Sequence, residues 1–314
     1  MKRLVIKLFY FSVFFYFLAY LLDVIISNSL KKSNLYHGEI EVWNDIYQSK
    51  INSDLLILGS SRAWVQVNPN IIIKQTGLKT YNLGMDGHKF DLTYLRYLEY
   101  IKYNTPPKFI VLVIDVNFFS SYSKLYNYEQ FLPYMLFNFN YYKFFNSYNY
   151  FKKSDYILPL IRYSGKINVI KNTISSIPFK KSKKYRNFGF RGQNLTWNDI
   201  EISKQLLKIE MDQNKLFMFK SFINLCRKTK TKLILVYPPE YIEGQVMIQN
   251  RSGIIDLLKN KAKSNKLIYL DYSHDNTFLR NKKLFYNAFH LNNRGAYIFT
   301  QKLTDDLKNY LKVE

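Results

Sequence analysis

Five short apolar runs constrain this chain most: Leu55–Leu58, Thr80–Leu83, Phe109–Ile114, Leu233–Tyr237 and Leu267–Leu270. Side chains alternate between the faces of a strand, so a strand apolar on successive positions must be covered on both faces. Amphipathic helical spacing lies between the runs. Leu216, Phe219, Ile223 and Cys226 fall on one helix face, and Ala296, Phe299, Leu303, Leu307 and Tyr310 on another, with Asn292 or Asn293 as cap. Strand–helix alternation of this kind predicts an α/β fold: a parallel sheet with helices on both faces.

Leu8–Ser27 is a different kind of segment, apolar throughout except for Asp23 near its end. Its helical length of about 30 Å matches a bilayer's hydrocarbon core. Lys2, Arg3 and Lys7 precede it, which favours a cytoplasmic N-terminus. The run is long for a cleaved signal peptide, and no small-x-small cleavage site follows it. The expected organisation is a tip and transmembrane anchor at 1–30, a stalk at 31–53, and the α/β domain at 54–314 with an insertion at about 118–198. The insertion is rich in Tyr, Phe, Asn and Lys and too long for an ordinary connection. It is expected to pack over one edge of the sheet, its aromatics either stacking on sugars or forming a second small core. Asp23 is expected to reach the membrane interface.

The formal net charge is +23. Attraction to a polyanion is one reading and a solvated, lysine-rich surface the other. The lysines are dispersed, and no nucleic-acid motif accompanies them, which favours the second reading and excludes nucleic acid as the expected partner. The nearest approach to a cluster is Lys180, Lys181, Lys183, Lys184 and Arg186. A single cysteine, Cys226, rules out an internal disulfide and a cysteine-based metal site. His37, His88 and His274 lack ligand spacing, so neither metal nor cofactor is expected.

In an open α/β sheet, ligands bind beyond the carboxyl ends of the strands. The residues there are Gly59-Ser60-Ser61-Arg62, Asn82 to Gly87, Asp115-Val116-Asn117 and Pro238-Pro239-Glu240, with Asn287 to Asn292 ahead of the last helix. Small, polar and ionisable groups thus collect at one edge of an apolar sheet.

Gly59-Ser60-Ser61-Arg62 resembles the Gly-Asp-Ser block of the SGNH/GDSL hydrolase superfamily, with Ser60 in place of Asp. Asn82–Gly87 is similar to the second block and Asn287–His290 to the last, Asp-x-x-His. The pattern is most like that of membrane-anchored SGNH-like proteins of cell-envelope polysaccharide O-acetylation and teichoic-acid D-alanylation. The resemblance implies a three-layer, flavodoxin-like sheet, with Ser61 as nucleophile and His290 as base. It implies an oxyanion site made by the N–H groups of Ser61 and Gly87, with Asn117 as side-chain donor. Arg62 and His88 are expected to line the pocket.

A serine hydroxyl needs a base within hydrogen-bond reach, and an oxyanion needs preorganised donors. The departure is Asn287, which stands where the family has Asp. Its carbonyl can orient the imidazole but supplies no charge, and the same exchange in a serine-protease triad costs about 10⁴ in turnover. Asp271 or Asp275 is the alternative acid. The expectation is an extracytoplasmic O-acyl esterase or acyltransferase acting on an acylated glycan or envelope polymer. The alternative is a non-catalytic glycan-binding or assembly partner of a membrane-bound O-acyltransferase.

Overall fold

A computed structural model describes residues 1–33, 36–121, 124–148, 150–175, 184–197 and 206–311. In chain order the helices and strands are α1 (Lys2–Lys31), α2 (Glu39–Tyr47), β1 (Leu55–Gly59), α3 (Ser61–Gln66), α4 (Pro69–Thr76), β2 (Thr80–Asn82), α5 (Phe90–Tyr103) and β3 (Phe109–Val113). There follow α6 (Leu132–Met135), α7 (Phe139–Phe145), α8 (Ser154–Ile157), α9 (Ile167–Ser175), α10 (Gln213–Lys228), β4 (Lys232–Tyr237), α11 (Ile242–Val246) and α12 (Arg251–Ser264). The last are β5 (Ile268–Asp271), α13 (Asn276–Leu279), β6 (Phe285–Asn287), β7 (His290–Leu291) and α14 (Asn293–Lys308). The described residues form two units, Met1–Asn44 with Ser123–Tyr185, and Asp45–Tyr122 with Arg186–Glu314.

The second unit contains the sheet. Its five strands are parallel, in the order β2-β1-β3-β4-β5. That is the doubly wound, flavodoxin-like order, whose switch point lies between β1 and β3. All five apolar runs became strands. On one face, Leu55 and Ile57 of β1, Val111 and Val113 of β3 and Ile234 and Val236 of β4 form a core with Ala63, Val67, Ile72, Phe299, Leu303 and Leu307 from α3, α4 and α14. α5 and α10 cover the other face, where Phe90 meets Phe219 and Phe222 edge-on. Cys226 is buried there. Asn292 caps α14 by accepting the N–H of Gly295 at 3.0 Å. The β6–β7 hairpin is antiparallel and separate from the main sheet.

The first unit contains α1. α1 is one helix long and apolar enough to cross a membrane, with 6% of its most apolar window buried. Residues 31–53 are not a plain stalk: α2 forms there and buries Ile40, Val42 and Trp43. Residues 123–185 of the insertion fall in one compact unit with residues 1–44. Trp43 packs against Phe131, Tyr134 and Tyr141, so aromatics of the insertion build a second small core. Phe118 and Phe119 remain in the sheet unit against Phe90. Lys180, Lys181 and Lys183 lie outside the described residues, and Arg186 is buried with its guanidinium 4.4 Å from the ring centre of Trp64.

Candidate active site

β1 ends in a turn that only glycine fits. Gly59 has φ +146°, and a Cβ there would meet the Val113 carbonyl oxygen at 2.6 Å. The chain then enters α3 at Ser61 immediately, which holds the Ser61 hydroxyl at the carboxyl edge of the sheet. Asn82 locks α3 to the loop after β2: its side-chain amide donates to the carbonyls of Ala63 and Val67 at 2.7 and 2.8 Å, while its oxygen accepts the Gly84 N–H at 2.8 Å. On the other side, the Gln66 amide donates to the Phe289 carbonyl at 3.0 Å, tying α3 to the hairpin that carries His290.

These ties bring residues 229 positions apart into contact, with Ser61 Oγ 2.8 Å from His290 Nε2. His290 Nδ1 lies 3.0 Å from Asn287 Oδ1. The same oxygen accepts the backbone N–H groups of Phe289 and His290 at 3.0 and 2.9 Å. Two N–H donors fix that Asn287 atom as the carbonyl oxygen, since the amide nitrogen could not accept them. Nδ1 must then carry the imidazole proton, and Nε2 presents its lone pair to Ser61. The hydroxyl therefore donates to the imidazole, in the direction general-base activation requires.

A cavity of about 190 Å³ opens in front of this pair, lined by Ser61, Gly87, His88, Lys89, Asp115, Asn117, Phe289 and His290 among others. The pKa of His290 is lowered to about 4 by burial first and by the neighbouring Arg62 guanidinium second, with Asp115 opposing. The imidazole is accordingly neutral at neutral pH. Tyr286 stacks on it, with ring centroids 5.4 Å apart and planes 16° from parallel.

Arg62 reaches this cavity, but its guanidinium turns to structural work. It donates to Glu240 Oε1 at 2.6 Å and to the carbonyls of Pro238 and Pro239 at 3.0 and 2.7 Å. Glu240 also accepts from the Tyr237 hydroxyl at 2.8 Å and from Arg251 at 3.0 Å. His88 is buried and holds its Nδ1 against the Asp86 carbonyl. The alternative acids are engaged elsewhere: Asp275 caps α13 and pairs with Lys302 at 2.8 Å, and Asp271 accepts the Ser273 N–H at 3.0 Å and lies 3.5 Å from Lys259.

Lys89 and Asp115 carry charge to the cavity wall without having been assigned a role from sequence. Asp115 accepts the Ser60 hydroxyl at 3.2 Å and the Asn117 N–H at 2.8 Å. Its signal was visible, a lone acid directly after a wholly apolar strand. Lys89 directly follows Gly87-His88, but a lysine in a lysine-rich chain gives no signal of its own; burial lowers its pKa.

The fold and the site define a class: a doubly wound α/β protein with a serine–histidine pair at the carboxyl edge of its sheet. Solved structures with some likeness include a proposed lipolytic protein of the G-D-S-L family from Desulfitobacterium hafniense, at TM-score 0.42 and 10% identity over 80% of this chain and 97% of that one. Another is a GDSL-like lipase from Bacteroides thetaiotaomicron, at TM-score 0.41 and 12% identity over 82% of this chain and 88% of that one. Likeness this loose carries no activity from those proteins to this one. No family model and no curated protein sequence matches the chain.

Proposed function

We propose that this chain is a membrane-anchored serine O-acyl esterase or acyltransferase of SGNH type, with its sheet unit outside the cytoplasmic membrane. Ser61 attacks the carbonyl carbon of an acyl ester as His290 takes its proton through Nε2; the ester C–O bond then breaks, His290 returns the proton to the departing alcohol, and an acyl-enzyme is left. The N–H groups of Ser61 and Gly87, with Asn117 beside them, are the candidate oxyanion donors. Water as acceptor makes the reaction an esterase; a glycan hydroxyl makes it a transferase. An acylated envelope polysaccharide is the proposed substrate class, resting on the resemblance of the three sequence blocks. The observation that carries the reading is the 2.8 Å Ser61–His290 contact with its tautomer held by Asn287. α1 is the proposed anchor, with Lys2, Arg3 and Lys7 on the cytoplasmic side.

The neutral Asn287 favours a second reading, a non-catalytic module that keeps the cleft to bind glycan or to assemble with a membrane-bound O-acyltransferase. Covalent labelling separates the two. A fluorophosphonate probe should modify wild type in membranes and leave Ser61→Ala unmodified, with parallel loss of hydrolysis of a small activated ester. Labelling of neither protein, with the biological phenotype intact in Ser61→Ala, would instead establish the binding role.

A further inference from the structure

From Leu4 to Leu22 every large apolar side chain of α1 is exposed, and from Asp23 on one face of the helix, Asp23, Ser27 and Leu30, is buried while Ile25 stays exposed. That exposed length is about 28 Å at 1.5 Å per residue, close to the thickness of a hydrocarbon core. Asp23 does not face solvent. Arg162 of the insertion grips its carboxylate with two 2.6 Å hydrogen bonds, the Leu160 N–H adds one at 2.8 Å, and Ser27 adds another at 3.2 Å. Arg162 also donates to the Leu132 carbonyl at 2.6 Å, so both charges are buried and answered. This peg fixes the segment around residues 157–161 to the helix near the Asp23 end of its apolar stretch.

The segment does not stop at the level of Asp23. The Tyr16 hydroxyl donates to the Ile157 carbonyl at 3.4 Å. Tyr16 lies about 10 Å along the helix from Asp23, toward the lipid-facing stretch. Ile157, Leu158 and Ile161 are exposed there, at 37, 44 and 42%. Lys152 and Lys153, exposed just before them, suit a headgroup layer. An apolar tip reaching this far down a spanning helix has one fitting occupant, the acyl–headgroup boundary of the leaflet nearer the Asp23 end, whose usual penetration depth is about 5–10 Å. We infer that residues 157–161 form a membrane-embedded collar, pegged to the anchor by Asp23–Arg162, so that the insertion is a bilayer-docking device. The inference rests on the reading of α1 as a membrane anchor.

The test uses the full chain in vesicles that contain brominated phospholipid. Single cysteines at Leu158 and Val13, each in a Cys226→Ala background, carry an environment-sensitive fluorophore. Ile157→Cys serves as a second collar position. Quenching at 158 and 157 should reach at least about half of that at 13, as expected for a segment in the acyl–headgroup boundary. Quenching at 13 with a water-exposed signal at 158 and 157 would overturn the collar and leave the anchor standing. A label at 158 shielded from both lipid and water would put a protein surface there, which also overturns the collar. Absence of quenching at 13 would remove the anchor itself, and the collar with it.

Discussion

Replacing Asn287 with Asp tests the chemistry of the site at its weakest point. The wild-type oxygen already accepts two backbone N–H groups and the Nδ1 proton, and a carboxylate would accept the same three without repacking. In the serine-protease precedent, Asp→Asn costs about 10⁴ because the imidazole adopts the wrong tautomer. Here the tautomer is already correct, so that part of the loss has not been incurred. What the carboxylate adds is charge 3.0 Å from Nδ1. An opposite charge at such range shifts a pKa by about 1–3 units, which is about 1.4–4 kcal/mol of imidazolium stabilisation. The pKa of His290 should rise from about 4 accordingly. With proton transfer rate-limiting, turnover of a small activated ester should rise about 10- to 10³-fold, since each 1.36 kcal/mol off the barrier is tenfold. The assay is kcat/KM against pH for wild type, Asn287→Asp, and Asn287→Asp combined with Ser61→Ala. The acid limb should stand near pH 4 in wild type and move upward in Asn287→Asp, and the double variant should be inert. An acid limb that does not move, or activity that survives Ser61→Ala, would refute the assignment of His290 as base to Ser61.

His290 also makes stability depend on pH. Its folded pKa of about 4 lies below the ordinary 6.5, so the unfolded chain binds the proton first. The stabilisation is fully present above pH 6.5 and falls away by up to about 3 kcal/mol as the pH drops through 4; urea melts of wild type against His290→Gln at pH 7 and pH 4.5 should show it. Glu240→Ala strands the buried Arg62 guanidinium beside a nearly inaccessible site, and should lower unfolding free energy by about 3–5 kcal/mol in the same urea assay. A loss under about 1 kcal/mol would mean that water reaches the ion pair. Gly59→Ala pushes a methyl group toward the Val113 carbonyl at a φ that alanine avoids, and should cost more than about 1 kcal/mol and reduce Ser61 labelling.

The layers of the sheet unit were legible because each strand is apolar on consecutive positions and each covering helix repeats at three and four. Local periodicity reports which faces are buried, and an α/β sheet leaves few ways to bury them. Ser61, Gly87 and His290 were legible for a related reason: each sits where a strand ends or the last helix begins, and that edge is where such a sheet exposes polar groups. The β6–β7 hairpin was not, since Phe285–Asn287 and His290–Leu291 are too short to leave a periodic signal. Nor was the double use of the Asn287 oxygen, which depends on the turn of that hairpin.

The insertion marks where sequence reasoning stopped. Its aromatics announce a core but not which surface they cover, because an aromatic cluster without periodicity has no direction. Asp23 reads locally as a charge near a membrane interface, and nothing in its neighbours names a partner 139 positions away. By itself the sequence determined the α/β layering, a helix apolar enough for a bilayer, and the edge of the sheet where chemistry could occur. These depend on the burial of neighbouring residues, which local pattern encodes. Tertiary structure alone decided that the Asn287 oxygen also takes two backbone N–H groups, that Arg62 belongs to Glu240, and that Asp23 is answered by Arg162. Those are pairings of single polar groups across long stretches of chain, and their partners are chosen by how the backbone closes.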